Sequence, residues 1–452
     1  MNRKEFLRNG GLAAMALAAT PATQLFAHGS AAGTKARLAL LGTGLRGQSH
    51  LSLLLRRDDV DLLAICDVDD RMLDSAKKLI AKSGRKMPKV YTGNPYAWKD
   101  LLQQQQLDGV IIATPWEWHK PMIVGALEAG IKYVATEVVL GITLEDHWEV
   151  VRAAEKQAAH VMMLENVCYR RDVMAVLNMV QQGLFGELIH LQGGYQHNLR
   201  DVKFNDGQQA SGGGCEFGEK AFSEARWRTE HSVHRNGDLY PTHGIGPLAH
   251  YININKGNRF TNLCSFSSKT RGLHEYVLGK CGNDHPSANV QFKLGDVVTT
   301  SINCANGETI LLQHDTSLPR PYSLGFRVQG TGGLWMDVAK GIYVHGRSKE
   351  EQWDDAKTWL DKYDHPLWKR WNNEAEGAGH GGMDFFVVHA FIESIKRNKP
   401  TPMDVYDAAA WSAITPLSES SIELGNQTVE FPDFTGGQWM YRKPSFGLSE
   451  EY

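Results

Sequence analysis

GTGLRGQSH, residues 42–50, follows the apolar run RLALLG (37–42) and opens a helical pattern. Gly42, Gly44 and Gly47 give the spacing GxGxxG. In that motif the first glycine turns the chain, the second lets backbone approach a phosphate, and the third lets the helix lie close on its strand. Backbone amides at the helix N-terminus then face an anion. The spacing alone is a weak signal, but its context strengthens it. The next run, DLLAICD (61–67), ends in Asp67, twenty residues beyond Gly47, where a carboxylate accepts from adenosine ribose hydroxyls. Together these features predict a dinucleotide site. No arginine directly follows Asp67, which favours NAD over NADP; Arg71 is the nearest candidate for a 2′-phosphate.

Outward from this turn, the runs GVIIAT (109–114), YVATE (133–137) and HVMMLEN (160–166) alternate with helical patterns such as RMLDSAKKLIAK and LEDHWEVVRAAEKQ. Such alternation predicts a parallel sheet with helices on both faces and ligands at the carboxyl ends of its strands. The string TPWEWHK then puts Trp116, Glu117, Trp118 and His119 on a loop beside the cofactor, and Glu137 closes the next strand. Beyond residue 184 the pattern becomes that of strands in an open, mostly antiparallel sheet, with ANGE (305–308) as a hairpin signal. A glycine-rich stretch, GQQASGGGCEFGE (207–219), reads as a mobile loop or excursion. The predicted organisation is an export signal over 1–30, a Rossmann domain over 31–166 and an α+β domain over 167–452. A late helix at 382–397 is expected to return toward the first domain.

Arg3, Lys4 and Arg8 precede the apolar run Gly11–Ala19 and Pro21, the layout of a cleavable secretory signal. NRKEFLR is similar to the twin-arginine export motif, with Lys4 where the second arginine is usual, so an exported, periplasmic protein is expected. No segment is apolar enough over sufficient length to span a bilayer. A net charge of −3 with dispersed lysine and arginine argues against nucleic acid as partner. Twelve tryptophans and fourteen tyrosines offer flat faces to sugar rings. The six cysteines (Cys66, Cys168, Cys215, Cys264, Cys281, Cys304) show neither CxxC nor zinc spacing, and several are expected to pack as small hydrophobes. HSVH (231–234) is the best metal candidate, yet reads as a solvated helix or loop, so no metal is expected.

The strings GTGLRG, ATPWEWH, TEVV, ENVCYRRDVM, RNGDLYPTHGIGP and RPYSLGFRVQGTGG carry a resemblance. The mature chain resembles the glucose-fructose oxidoreductase, inositol dehydrogenase and rhizopine-catabolism (Gfo/Idh/MocA) superfamily, and within it glycosyl hydrolase family 109. That family removes α-linked N-acetylgalactosamine with NAD. The resemblance implies transient oxidation at the sugar C3, elimination across C1–C2, water addition and re-reduction, with NAD tightly held and recycled. Sugar dehydrogenases of the superfamily carry Glu-Lys-Pro after the fifth strand; here Glu137-Val138-Val139 lacks the lysine, so another group must handle the proton. The resemblance puts Leu45 and Arg46 at the pyrophosphate turn, Trp116–His119, Glu137 and Val138 beside the nicotinamide, and Asn166 at the cofactor. It assigns Tyr195, Arg228, Tyr240, Pro241, Thr242, His243 and Tyr322 to substrate, with Tyr195, Tyr240 and His243 catalytic. An imidazole near neutrality suits general acid or base work, and a tyrosine hydroxyl donates to sugar oxygens or, with a lowered pKa, abstracts a proton. A plain sugar oxidoreductase and a sugar-binding protein with structural NAD are the competing readings. The expected partner is a small glycoside or glycan terminus, and open sheets of this kind commonly pair into homodimers or homotetramers. A two-carboxylate glycosidase is disfavoured, because no facing acidic pair is independently supported.

Overall fold

The computed structural model describes residues 35–452, so the export signal expected over 1–30 lies outside the described residues. β1 (Ala36–Leu41), β2 (Val60–Cys66), β3 (Lys89–Tyr91), β4 (Gly109–Ile112), β5 (Tyr133–Thr136) and β6 (His160–Met163) form one six-stranded sheet in the order β3-β2-β1-β4-β5-β6. Every pairing in it is parallel. β4 and β5 are buried throughout, as expected for strands covered on both faces. Strand order reverses between β1 and β4, the crevice where doubly wound sheets take their ligand. β3 has three residues and a single buried side chain, too little pattern to read from sequence. The loop expected at TPWEWHK is instead the first turn of a helix, Trp116–Glu128, with the extended backbone of Pro115 as its N-cap.

The second sheet has nine strands, in the order β14-β13-β12-β11-β7-β10-β9-β8-β15. They are β7 (Leu188–Gln196), β8 (Phe260–Ser267), β9 (Val297–Cys304), β10 (Thr309–Asp315), β11 (Arg327–Gly330), β12 (Gly333–Met336), β13 (Gly341–Val344), β14 (Asp354–Asp355) and β15 (Val429–Glu430). All pairs are antiparallel except β7 with β10, which matches the predicted open, mostly antiparallel sheet. ANGE joins β9 to β10, with Gly307 supplying a φ of +100° that L side chains rarely adopt. The helix Met383–Arg397 lies against the first sheet: a Cβ on Gly109 of β4 would come within 2.8 Å of Ile395 Cδ1. Lys396 on the same helix pairs with Asp59 at 2.8 Å.

The glycine-rich stretch is not a free loop. Cys215 and Cys281 form a disulfide across a separation of 66 residues, which local spacing did not reveal. Closing a loop of that size stabilises the fold by about 4 kcal/mol in the chain-entropy model. Phe204, Cys215, Leu273, Val277, Ala288 and Phe292 form a small separate core around it. Cys66, Cys168 and Cys304 are free and buried, packing as small hydrophobes.

Candidate active site

Gly42 must be glycine: its φ is +90°, and a Cβ there would meet Ala113 O at 2.4 Å. A Cβ on Gly47 would meet Gly42 O at 2.0 Å, so this residue lets the helix Leu45–Leu55 close onto the turn and faces no ligand. Gly44 differs from both. It N-caps that helix without a side-chain cap, and nothing lies within 4 Å of where its Cβ would be. It opens onto a cavity of about 460 Å³ lined by Leu45, Arg46, Asp67, Trp116, Trp118, Glu137, Val138, Arg228 and Tyr240. Uncapped amides, open backbone and a strand-end carboxylate together fit a dinucleotide's pyrophosphate and ribose. Asp67 accepts from Thr43 N at 2.6 Å and Asp69 N at 2.9 Å, which fixes the carboxylate while leaving lone pairs free. The buried Trp98 Nε1, also on the cavity wall, has no partner among the described residues and is a further donor for a ligand.

The roof of the cavity comes from the second domain. Ser223, Glu224, Arg226, Trp227 and Arg228 line it from the segment anchored by the disulfide. Arg226 pairs with Asp69 at 3.3 Å, and the Arg71 guanidinium stacks 4.1 Å over Phe222. Arg71 is thus committed to the roof and does not line the cavity. Arg228 is held by Glu224 at 2.6 Å, with the Trp116, Trp227 and Tyr240 rings around it.

Beneath the cavity lies an ionic network. Arg46 and His50, four apart on the helix that GTGLRGQSH opens, share one face and both grip Glu137, each at 2.7 Å. Arg46 also pairs with Asp384 at 2.9 Å. Asp384 accepts from Asn166 Nδ2 at 2.7 Å and contacts His380 Nδ1 at 2.7 Å. Burial works against ionisation of Glu137, but the Arg46 and His50 contacts outweigh it and hold the carboxyl well below the usual carboxylate range. Asp384 is likewise held low: burial opposes this, and His380 and Arg46 prevail. The peptide between Val138 and Val139 is cis.

The second cluster depends on close backbone packing. A Cβ on Gly244 would come within 2.4 Å of Gly194 N on β7, so the helix Thr242–Tyr251 rests directly on that strand. His243 consequently meets Tyr195, the residue after Gly194, with ring centroids 5.2 Å apart. A Cβ on Gly246 would sit 3.1 Å from Glu165 Cγ, so glycine there admits the buried Glu165 carboxylate. His243 Nδ1 contacts Glu165 Oε1 at 2.7 Å. A carboxylate can only accept, so Nδ1 carries the proton and Nε2 remains for proton transfer. Tyr240 packs 4.5 Å from Tyr195 and 4.9 Å from His243, centroid to centroid. The Tyr195 hydroxyl contacts His197 Nδ1 at 3.1 Å, and Tyr322 lies 4.9 Å from the His197 ring. Burial pushes the Tyr195 and Tyr240 phenols well above their ordinary pKa, and the Tyr322 phenol up to about 12. They are therefore neutral hydrogen-bonding groups, and the lowered phenol pKa considered from the sequence is not found.

Some residues singled out from sequence face elsewhere. His119 is fully buried behind the wall, its ring nitrogens 2.5 Å from Val139 O and 2.8 Å from Thr114 O. Glu117 lies off the cavity, 3.8 Å from His231. His231 is not solvated: it packs 4.8 Å from Trp116, whereas His234 of the same helix is exposed. Pro241 N-caps the His243 helix, and the Thr242 hydroxyl is buried within it. The sequence reading passed over Glu165, His50 and Asp384. Glu165 had a signal, since like Glu137 it is a carboxylate just past the end of a parallel strand.

Residues 36–165 match the model of the oxidoreductase family with an NAD-binding Rossmann fold, and residues 169–441 match the glycosyl hydrolase 109 C-terminal domain. Fold and site therefore define a two-domain NAD-binding protein of the Gfo/Idh/MocA class. A myo-inositol dehydrogenase from Lactobacillus casei, solved with NAD(H) and myo-inositol, shares this fold with a TM-score of 0.59 at 15% identity, covering 90% of this chain and 100% of that one. A glycosyl hydrolase family 109 protein from Stenotrophomonas maltophilia (strain K279a) is 57% identical over 100% of this chain and 99% of its own. An alpha-N-acetylgalactosaminidase from Tannerella forsythia is 53% identical over 91% of this chain and 89% of its own. The chain belongs to glycosyl hydrolase family 109 and is an NAD-dependent glycosidase.

Proposed function

We propose that the protein hydrolyses terminal α-linked N-acetylgalactosamine, with His243 moving the proton at the sugar C2. The observation that carries this reading is the Glu165–His243 pair beside the cofactor cavity, in a chain whose fifth strand ends in Glu137-Val138 without a lysine. NAD, when bound, supplies reversible hydride transfer at C3, which acidifies the C2 proton and leaves the cofactor unchanged over a full cycle. Glu165 orients the imidazole and stabilises its protonated form. Tyr195 and Tyr240, kept neutral, donate hydrogen bonds to sugar oxygens, and Arg228 adds a fixed positive charge.

A closed cycle needs no external acceptor, so the dinucleotide can stay bound under its disulfide-anchored roof. We further propose that the protein is exported. The layout of residues 1–30 supports this, as does the Cys215–Cys281 disulfide, since such bonds persist in oxidising compartments.

Hydrolysis in heavy water is the direct test. Deuterium should appear at C2 of the released sugar while free NADH stays absent. A product protiated at C2 would rule out proton transfer there, and stoichiometric NADH release would instead favour a plain sugar oxidoreductase.

A further inference from the structure

Beyond the catalytic cluster lies a second, open cavity of about 610 Å³ that the proposed chemistry does not use. Two stretches of chain run from one to the other. Along the first, Glu165 holds His243 and Asn166 reaches Asp384; after the short 3₁₀ turn Asn166–Tyr169, Arg170, Arg171 and Asp172 line the cavity. Along the second, Asp384 belongs to the ionic network, while His380 and Met383 line the cavity. A 3₁₀ turn rises about 2 Å per residue, so Arg170 on the cavity wall stands on the order of 8 Å along the chain from Asn166, the reach of one to two pyranose rings. Tyr322, whose ring lies 6.5 Å from that of Tyr195 in the catalytic cluster, also feels the charges of Arg170, Asp337 and Asp172 of the cavity lining.

The lining has four cationic side chains (Arg170, Arg171, Lys340, Lys357) against five carboxylates (Asp172, Asp337, Asp355, Asp361, Asp364). This near-balance gives no grip on a strongly charged ligand, but it supplies donors and acceptors at high density. Two of the pairs are bidentate: Arg170 holds Asp172 at 2.6 and 2.8 Å, and Arg171 holds Asp364 at 3.1 and 2.8 Å. Such forks are preorganised and keep lone pairs and N–H groups free for hydroxyls. The Asp337 Oδ1 oxygen is shielded from solvent and has no partner among the described residues, although Arg170 Nη2 lies 3.6 Å from its Oδ2. Trp335, Ala356 and Leu360 add apolar wall. Apolar surface beside dense neutralised polar groups fits a polyhydroxylated, uncharged ring.

We propose that this cavity binds the second sugar of the glycan, the residue to which the terminal N-acetylgalactosamine is linked, with Asp337 accepting from one of its hydroxyls. The proposal rests on the glycosidase reading. It predicts a split between substrates for Asp337→Asn: kcat/KM falls about 10-fold on a disaccharide bearing the terminal sugar, but stays within about two-fold on the nitrophenyl α-N-acetylgalactosaminide, which has no second sugar. An equal loss on both substrates, or no loss on either, overturns the subsite. Lys340→Ala, at an exposed position, carries the same test if circular dichroism shows that the Asn variant has not folded. Failure of the wild type on every glycoside would sink the glycosidase reading instead. The subsite would then be decided by calorimetric binding of the intact disaccharide, and equal affinity for wild type and Asp337→Asn would overturn it.

Discussion

Glu137 and Glu165 are both buried carboxylates just past the ends of parallel strands, and both touch a histidine, yet they do opposite things. Glu137 has Arg46 as well as His50, and Arg46 is tied in turn to Asp384. Its charge is fixed, and with it the floor of the cofactor cavity. Among the described residues, Glu165 has His243 and a single backbone amide, Val167 N at 3.1 Å. Its partner keeps one nitrogen free, so protonation there can change during a turnover. A carboxylate locked by an arginine builds a wall, whereas one that meets only an imidazole and an amide builds a moving part.

The comparison is broken most directly at His243. His243→Ala should reduce turnover by about 10²- to 10⁴-fold in a chain that still folds and keeps its NAD; turnover within two-fold of wild type would remove the moving part from the account. Glu137→Ala should show the reverse pattern. Removing one partner of a buried pair costs about 3 kcal/mol or more, so the melting temperature and the retained NAD should both fall, as read by thermal denaturation and by assay of the cofactor released on unfolding. A variant with wild-type stability and cofactor content would mean that the floor does not depend on this anion.

The smallest effect concerns Asp238, which lies behind Tyr240. Its Oδ1 accepts from Tyr240 N at 3.2 Å, its Oδ2 has no partner among the described residues, and burial pushes the carboxyl up to about 7. Between the unfolded value of 3.8 and about 7 the folded chain holds a proton that the unfolded chain releases, so stability falls as pH rises through that window. Asp238→Asn cannot ionise. Its advantage in unfolding free energy should be small near pH 4 and grow toward pH 8, reaching the order of 1–4 kcal/mol. A difference that does not vary with pH would show that Asp238 is not the titrating group.

The cofactor half was legible because its determinants are local. The glycine spacing, the carboxylate at Asp67 and the alternation of strand and helix all lie in short windows, and parallel strands read as apolar runs. The substrate half was legible only in part. The family resemblance singled out Tyr195, Tyr240 and His243, but neither spacing nor periodicity could place Glu165 against a histidine 78 residues away. Asp384 was hidden for the same reason, since its partners Arg46 and Asn166 lie 338 and 218 residues from it in the chain. The helix at Trp116 was misread because Pro115 and the cluster of aromatics look like a turn, whereas proline is well suited to the start of a helix.

Gly193, Gly194, Gly244 and Gly246 hold nothing reactive, yet they fix how near the reactive groups stand. One methyl group on Gly194 would meet Gln313 O at 2.1 Å, and one on Gly244 would meet Gly194 N at 2.4 Å, so neither position has room for a single added carbon. A library aimed at new sugars should therefore vary the rings and the outer cavity while leaving these four codons untouched. Changes in them would scramble the distances on which every other choice depends, and a screen would score that damage as loss of specificity.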